Sequence, residues 1–295
     1  MEQRKFLRAR LAAKQPIWSA GAYDALSAKL IEAAGFDALL TSGFGISASL
    51  LGMPDVELYT MTENLNVVRQ VVNAVKIPVV ADCDTGYGNA VNVMRTVREF
   101  ESAGASAVIL EDQVVPKRCP AVANRIEVIP QAEGVAKIRA AVEARRDPDL
   151  VIIARTDAGT EEEAISRARA YAAAGADMVQ PISKTMKNAD MLRRFRDGAG
   201  VPVSLQILGW LENLGPEELG EIGGMVTFAV APLMTVANAL ITNLKALKQS
   251  RSVRGLPLPT MDLKQFAELL DFSTFENIQM RLLPEAPDFH KNAAE

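Results

Sequence analysis

Three similar joins recur at wide intervals in this chain, and that recurrence narrows its possible folds more than any other feature. Glu32-Ala33-Ala34-Gly35-Phe36-Asp37, Glu101-Ser102-Ala103-Gly104-Ala105 and Ala172-Ala173-Ala174-Gly175-Ala176-Asp177 each end an alanine-rich stretch on a glycine and pass into an aliphatic run. A glycine there suits the left-handed residue that closes a helix. A short apolar run bounded by such signals reads as a strand buried on both faces. Eight strands are expected, at 17–20, 38–42, 77–83, 107–111, 151–156, 178–182, 201–207 and 225–230. Strands alternating with helices force a mainly parallel sheet. Eight such units in 295 residues are expected to close into a (β/α)8 barrel of the TIM type, preceded by an opening helix over about 2–14.

The barrel domain is expected over 1–250 and a helical extension over 251–295. A helix from about Thr235 to Ser250 leads into a proline-containing connector, 251–259, and then into apolar positions at helical spacing over 261–270 and 272–283. These helices either pack on their own barrel or are exchanged with a neighbouring subunit, a low-cost route to oligomers.

A formal net charge of −4 and the lack of any long basic run give no footprint for nucleic acid or an anionic membrane surface. No stretch approaches the 18 or so apolar residues of a membrane span, and the charged opening residues do not read as a secretory leader, so a cytoplasmic metabolic protein is expected. Two cysteines, Cys83 and Cys119, are too few for a disulfide framework or a thiolate cluster, and the single histidine, His290, lies in a polar tail. Histidine-based catalysis is therefore not expected.

In a barrel of this kind the chemistry sits on the loops that follow the strands. Here those positions are polar: Ser19 and Tyr23, Ser42 and Gly43, Asp82 and Asp84, Glu111 and Asp112, Arg155 and Asp157, and Gln206. Residues two apart on a strand share a side, so Asp82 and Asp84 aim two carboxylates into one space, and such a pair repels unless a cation or proton intervenes. Either the pair binds a hard divalent cation, Mg²⁺ or Mn²⁺, or it caps the next turn. Arg155 among the carboxylates fits a metal on one side of an anionic substrate and a guanidinium on the other.

Tyr23-Asp24-Ala25-Leu26-Ser27-Ala28, Ser42-Gly43, Leu51-Gly52-Met53-Pro54-Asp55, Ala81-Asp82-Cys83-Asp84-Thr85-Gly86-Tyr87-Gly88, Glu111-Asp112-Gln113 and Lys117-Arg118-Cys119 together resemble the isocitrate lyase and phosphoenolpyruvate mutase superfamily, in particular its short bacterial members related to 2-methylisocitrate lyase. The resemblance implies an α/β barrel, a Mg²⁺ site and an enolate or aci-carboxylate intermediate, in a tetramer built from two helix-swapped dimers. It makes Asp84 the nearest metal ligand, with Asp82, Asp55 and Glu111 holding metal-bound waters. Tyr23, Ser42, Gly43 and Phe44 match positions that hold the substrate carboxylate, with Asp82 and Gln206 also facing substrate and Arg155 on the oxyanion side. Lys117-Arg118-Cys119 matches a mobile lid whose cysteine is the lyases' acid or base, with Lys117, Arg155 and Glu111 assisting. Cys83, pointing away from the aspartates, is expected in the core.

The chain departs from that pattern at four places. Pro120-Ala121 replaces a Gly-His, Ile182 stands where the lyases carry glutamate, Gln206 where they carry asparagine, and Ala237 where an arginine follows Pro232-Leu233. One carboxylate-binding arm is therefore missing, which points to a smaller or more apolar substrate such as an alkyl-substituted malate. The expected reaction is Mg²⁺-dependent cleavage of a carbon–carbon bond in a 2-hydroxy dicarboxylate. Oxaloacetate decarboxylation, or a phosphonomutase reaction of the carboxyphosphonoenolpyruvate type, is the alternative at the same site.

Overall fold

The computed structural model describes residues 2–119, 122–123 and 126–283. It divides into two compact units, 1–237 and 238–295. The first contains eight strands: β1 Ile17–Ala22, β2 Ala38–Thr41, β3 Val79–Asp82, β4 Ala107–Glu111, β5 Val151–Thr156, β6 Met178–Pro181, β7 Ser204–Gln206 and β8 Met225–Phe228. All paired neighbours run parallel, in the order β6-β5-β4-β3-β2-β1-β8-β7. A single parallel bridge, Val179 to Val203, brings the two ends of the sheet together, so the fold is a nearly closed α/β barrel. Pro181 ends β6 and Pro202 precedes β7. Neither has an N–H to donate, so the ladder cannot be continued through them.

Period-two alternation sorts the strand residues between two cores. Val80, Ala107, Ile109, Val151 and Ile153 point inward, where they join Ile17, Leu40, Met178 and Met225 and meet Leu7 from the opening helix Glu2–Ala12. Ala81, Val108, Leu110, Ile152 and Ala154 point outward against the helices. Extending the inward series by one step at each strand's C-terminal end gives Asp82 on β3, Glu111 on β4 and Arg155 on β5. In register, Glu111 lies beside Arg155. Cys83 falls on the outward face, fully buried with Val93, Val97 and Phe100.

The helices start where side chains satisfy their first amides. Asp24 and Ser27 form a capping box on Ala25–Ala33, and Thr60 and Glu63 form one on Met61–Ala74. After β2 the chain turns at once into a short helix, Gly43–Ile46, capped by Ser42 Oγ accepting from Gly45 N–H, and then a π-turn, Ser47–Leu51.

In the second unit the helices are Leu263–Leu269, Phe272–Leu282 and the C-terminal part of Ala231–Ser250. Asn243 exchanges two hydrogen bonds with the Leu258 main chain, fastening the connector to the long helix. None of these three helices has a buried residue, although they carry Leu240, Ile241, Leu244, Phe275 and Met280. Among the described residues, no helix is long and apolar enough to cross a membrane.

Candidate active site

β3 stops at Asp82, and Asp84 takes a left-handed backbone (φ 48°), so the two aspartates are not strand neighbours as the spacing alone suggested. Their carboxylates still converge, because the turn folds Asp84 back until its N–H donates to Asp82 Oδ1 at 3.2 Å. Both crowd the Cα of Gly43: a side-chain carbon built there would lie 2.9 Å from Asp82 Oδ2 and 3.3 Å from Asp84 Oδ1. Gly43 N–H donates to Asp82 Oδ2 at 3.2 Å.

The repulsion between them is relieved in two ways. Burial, reinforced by Asp84, pushes the Asp82 carboxyl up to about 6, against the pull of Lys117 and Arg155. Asp84 meets the Lys117 ammonium, whose Nζ stands 2.5 Å from Asp84 Oδ1 and 3.0 Å from Asp55 Oδ1. Lys117 is only 2% exposed. Burial alone would lower its pKa, and Asp84, Glu111, Asp55 and Asp82 together more than reverse that, so it is held as a cation.

Across the barrel mouth Arg155 NH1 pairs with Glu111 Oε2 at 2.7 Å, while its Nε and NH2 grip Asp157 Oδ1 and Oδ2 at 2.8 and 2.7 Å. Burial lifts the Glu111 carboxyl well above the usual carboxylate range, with Arg155 and Lys117 opposing. Gln113 Nε2 also donates to Asp157 Oδ2, and Gln113 Oε1 accepts from Arg118 N–H at 2.8 Å. Asp112 Oδ1 accepts from Asp157 N–H at 2.9 Å, while its Oδ2 is held by Arg167 and Tyr171.

Asp55 Oδ1, Asp84 Oδ1 and both Glu111 oxygens are buried and accept no hydrogen bond; the neighbouring cations meet them by charge alone. Hard, under-coordinated oxygens of this kind fit a divalent cation. Among the described residues, no three carboxylates, cysteines or histidines are arranged as a ready-made ligand cage.

Other expected site residues are placed less closely. Ser42 and Phe44 lie at the start of the short helix after β2, and Tyr23 is a half-buried phenol whose pKa burial raises. Gln206 ends β7 beside Thr227, and no hydrogen bond links it to the carboxylates. Cys119 is buried, 6% exposed, two residues beyond Lys117, and its carbonyl accepts from Ala123 N–H. In this structure the Lys117–Cys119 segment is docked, with Lys117 and Cys119 buried, rather than held away from the barrel. Pro120-Ala121 and His290 lie outside the described residues.

Sequence reading missed four residues here. Tyr59 brings a buried hydroxyl to the Gly43 turn; burial and then Asp84 raise its pKa well above the ordinary value. Tyr87 OH donates to Asp84 Oδ2 at 2.9 Å, and Asn64 Nδ2 donates to both Tyr87 OH and Asp82 O, at 2.7 and 2.8 Å. Glu57 binds Thr85 and the Lys117 main chain. A signal existed for Asn64, a polar residue at a position in the stripe Leu65, Val68 and Val71 that its helix buries.

With an acidic mouth, one arginine and one lysine on an eight-stranded barrel, the chain belongs to the phosphoenolpyruvate mutase and isocitrate lyase superfamily: the family model described as Phosphoenolpyruvate phosphomutase matches residues 7–248. That span extends past the motifs at both ends. The chain is 37% identical over 281 residues to the 2,3-dimethylmalate lyase of Eubacterium barkeri, covering 92% of this chain and 96% of that one. It is 35% identical over 268 residues to an oxaloacetate decarboxylase of Bradyrhizobium, covering 86% and 89%. Among solved structures it superposes with a TM-score of 0.87 on phosphonopyruvate hydrolase in complex with oxalate and Mg²⁺, at 31% identity, over 96% of this chain and all of that one.

Proposed function

We propose that this protein cleaves the C2–C3 bond of an alkyl-substituted malate, giving a 2-oxo acid and a short carboxylic acid, with Mg²⁺ as its cofactor and Mn²⁺ as a substitute. The observation that carries this reading is the buried set Asp55, Asp82, Asp84 and Glu111 facing Lys117 and Arg155, at the C-terminal ends of β3 to β5 and on the segments that follow β2 to β4. Asp84 would hold the cation directly, with Asp82, Asp55 and Glu111 acting through water. When bound, the cation would stabilise negative charge developing on the substrate's oxygens.

The chain's own residues account for the remaining steps. Ser42, Gly43, Phe44 and Tyr23 would receive the substrate's carboxylate near the amides of the short helix. Glu111, whose Oε1 accepts no hydrogen bond, would take the proton from the 2-hydroxyl. As that proton leaves, the C2–C3 bond breaks, its electron pair staying on C3 while C2 becomes the carbonyl of the 2-oxo acid. Arg155, fixed by Asp157, would face the oxyanion side, with Gln206 at the rim. Lys117, held as a cation, serves as counter-charge and donor rather than base. Cys119 would supply the proton to C3. Ile182 brings no charge to the end of β6, which suits an alkyl substituent rather than a third carboxylate.

The same reading extends to assembly. The unburied apolar residues of the helices in 238–283 support exchange of the 251–295 extension between protomers of a homotetramer, in a cytoplasmic enzyme.

Oxaloacetate decarboxylation is the second reading, favoured by the Bradyrhizobium relative and by the absence of a charged group at Ile182. A coupled assay for 2-oxo acid release with 2,3-dialkylmalates and with oxaloacetate, run with Mg²⁺ and after EDTA, tests both. Cys119→Ser is expected to slow malate cleavage by about 10²- to 10⁴-fold, the usual worth of a general acid, and to spare decarboxylation. Malate cleavage undiminished in Cys119→Ser would remove Cys119 as the acid and with it one reason to prefer the lyase, and malate cleavage absent from the parent enzyme would overturn the lyase reading.

A further inference from the structure

Glu57 lies two residues beyond Asp55 with a left-handed backbone (φ 59°), a region an L side chain enters only when its surroundings hold it there. What holds it is a bridge between two loops. Glu57 Oε1 accepts from Thr85 Oγ1 at 2.5 Å, and Oε2 accepts from Lys117 N–H at 3.1 Å. Thr85 follows Asp84 directly, and its carbonyl is fixed in turn by buried Lys137 Nζ at 3.0 Å. One carboxylate thus ties the main chain that carries Asp84 to the main chain that carries Lys117, whose Nζ ends 2.5 Å from Asp84 Oδ1.

We propose that Glu57 is a positioning residue: by bridging Thr85 and the Lys117 amide it sets the Lys117 ammonium against Asp84 and Asp55, and it does so through its two-pronged shape rather than its charge. A glutamine can make the same bridge, its oxygen accepting from Lys117 N–H and its amide group donating to Thr85 Oγ1. Alanine can make neither contact. The inference rests on Lys117 and Asp84 belonging to the site, and its readout needs no substrate, so it can fail or succeed whatever reaction the enzyme performs.

The chain's two cysteines supply the probe. Cys119 ends the segment that Glu57 fixes, and Cys83, fully buried on the outer side of β3, reports general loosening. Labelling of the full-length protein with 5,5′-dithiobis(2-nitrobenzoate) gives the Cys119 rate, and the same reaction in a Cys119→Ser background gives that of Cys83. Glu57→Ala is expected to raise the Cys119 rate about tenfold or more, as loss of one to two hydrogen bonds implies. Glu57→Gln should stay within about threefold of the parent, and Cys83 should not change. An unchanged Cys119 rate in Glu57→Ala overturns the proposal. So does a glutamine variant as reactive as the alanine one, or a Cys83 rate that rises in step. Should Glu57→Ala fail to fold, Thr85→Val, which removes one prong, must still raise the Cys119 rate several-fold; no change there is equally fatal.

Discussion

Gly43 is the residue on which the site's carboxylates close. An added Cβ would lie 2.7 Å from Tyr59 OH and 2.9 Å from Asp82 Oδ2, both nearer than real Cβ contacts come, so the side chains would have to move. Gly43→Ala should therefore displace Asp82 and its neighbours and weaken Mg²⁺ binding by about 10- to 100-fold, as displaced supporting groups do. The thermal midpoint should fall by only a few degrees. Calorimetric titration with Mg²⁺ alongside a melt would check this, and parent-like affinity would show that the carboxylates do not need Gly43 bare. At this scale the sequence revealed residues whose position follows from strand periodicity: Asp82, Glu111 and Arg155 continue inward-facing series, and Cys83 faces out. It did not reveal that Asp84 arrives through a left-handed turn, nor that Tyr59, Tyr87 and Asn64 brace the pair. Those contacts depend on loop geometry and on which strand a helix packs against; the buried stripe of Met61–Ala74 marks Asn64 as facing inward but not what it meets.

Besides Leu7 in the inner core, the opening helix is held to the barrel by a buried arginine. Arg4 donates to Ala105 O and Glu101 O at 2.8 and 2.6 Å and pairs with Asp147 Oδ2 at 2.8 Å. Arg4→Met would strand two carbonyls and should cost about 3 kcal/mol at neutral pH by denaturant titration. Its hydrogen bond to Arg4 holds the Asp147 carboxyl below the usual range. A depressed carboxylate stabilises the fold above its ordinary pKa near 4 and loses that contribution as pH falls through its folded-state value. The penalty of Arg4→Met should accordingly be smaller near pH 3 than at pH 7, and an equal penalty at both would remove Asp147 from the account. Elements were legible where helix, glycine and apolar strand follow in sequence: β4 and β5 fall where expected, at Ala107–Glu111 and Val151–Thr156. β3 and β7 begin later than expected because Pro78 and Pro202 cannot donate to a neighbouring strand. The short helix after Ser42 was not foreseen, since its two glycines, Gly43 and Gly45, argue against any helix.

On the scale of the whole molecule, the helices after residue 237 leave Leu240, Leu244, Phe275 and Met280 more than half exposed, a surface that a second copy would cover under the exchange proposed above. Ending the chain after Arg254 should then turn a tetramer into monomers or aggregate in multi-angle light scattering. A truncated protein that remains a well-behaved tetramer would locate the subunit contacts elsewhere. The barrel itself is uneven around its circumference. β4 and β5 share five register pairs, whereas β6 and β7 meet through one bridge and a bond from Ser204 Oγ to Gln180 Oε1 at 2.9 Å. Opening free energies within a fold track how densely each part is bonded. Thermal breathing of this barrel is thus expected to have a preferred side: amide hydrogen exchange should find it parting first at a seam written into the chain by Pro181 and Pro202, with the amides around Ile109 and Ile153, near Glu111 and Arg155, the last to meet solvent.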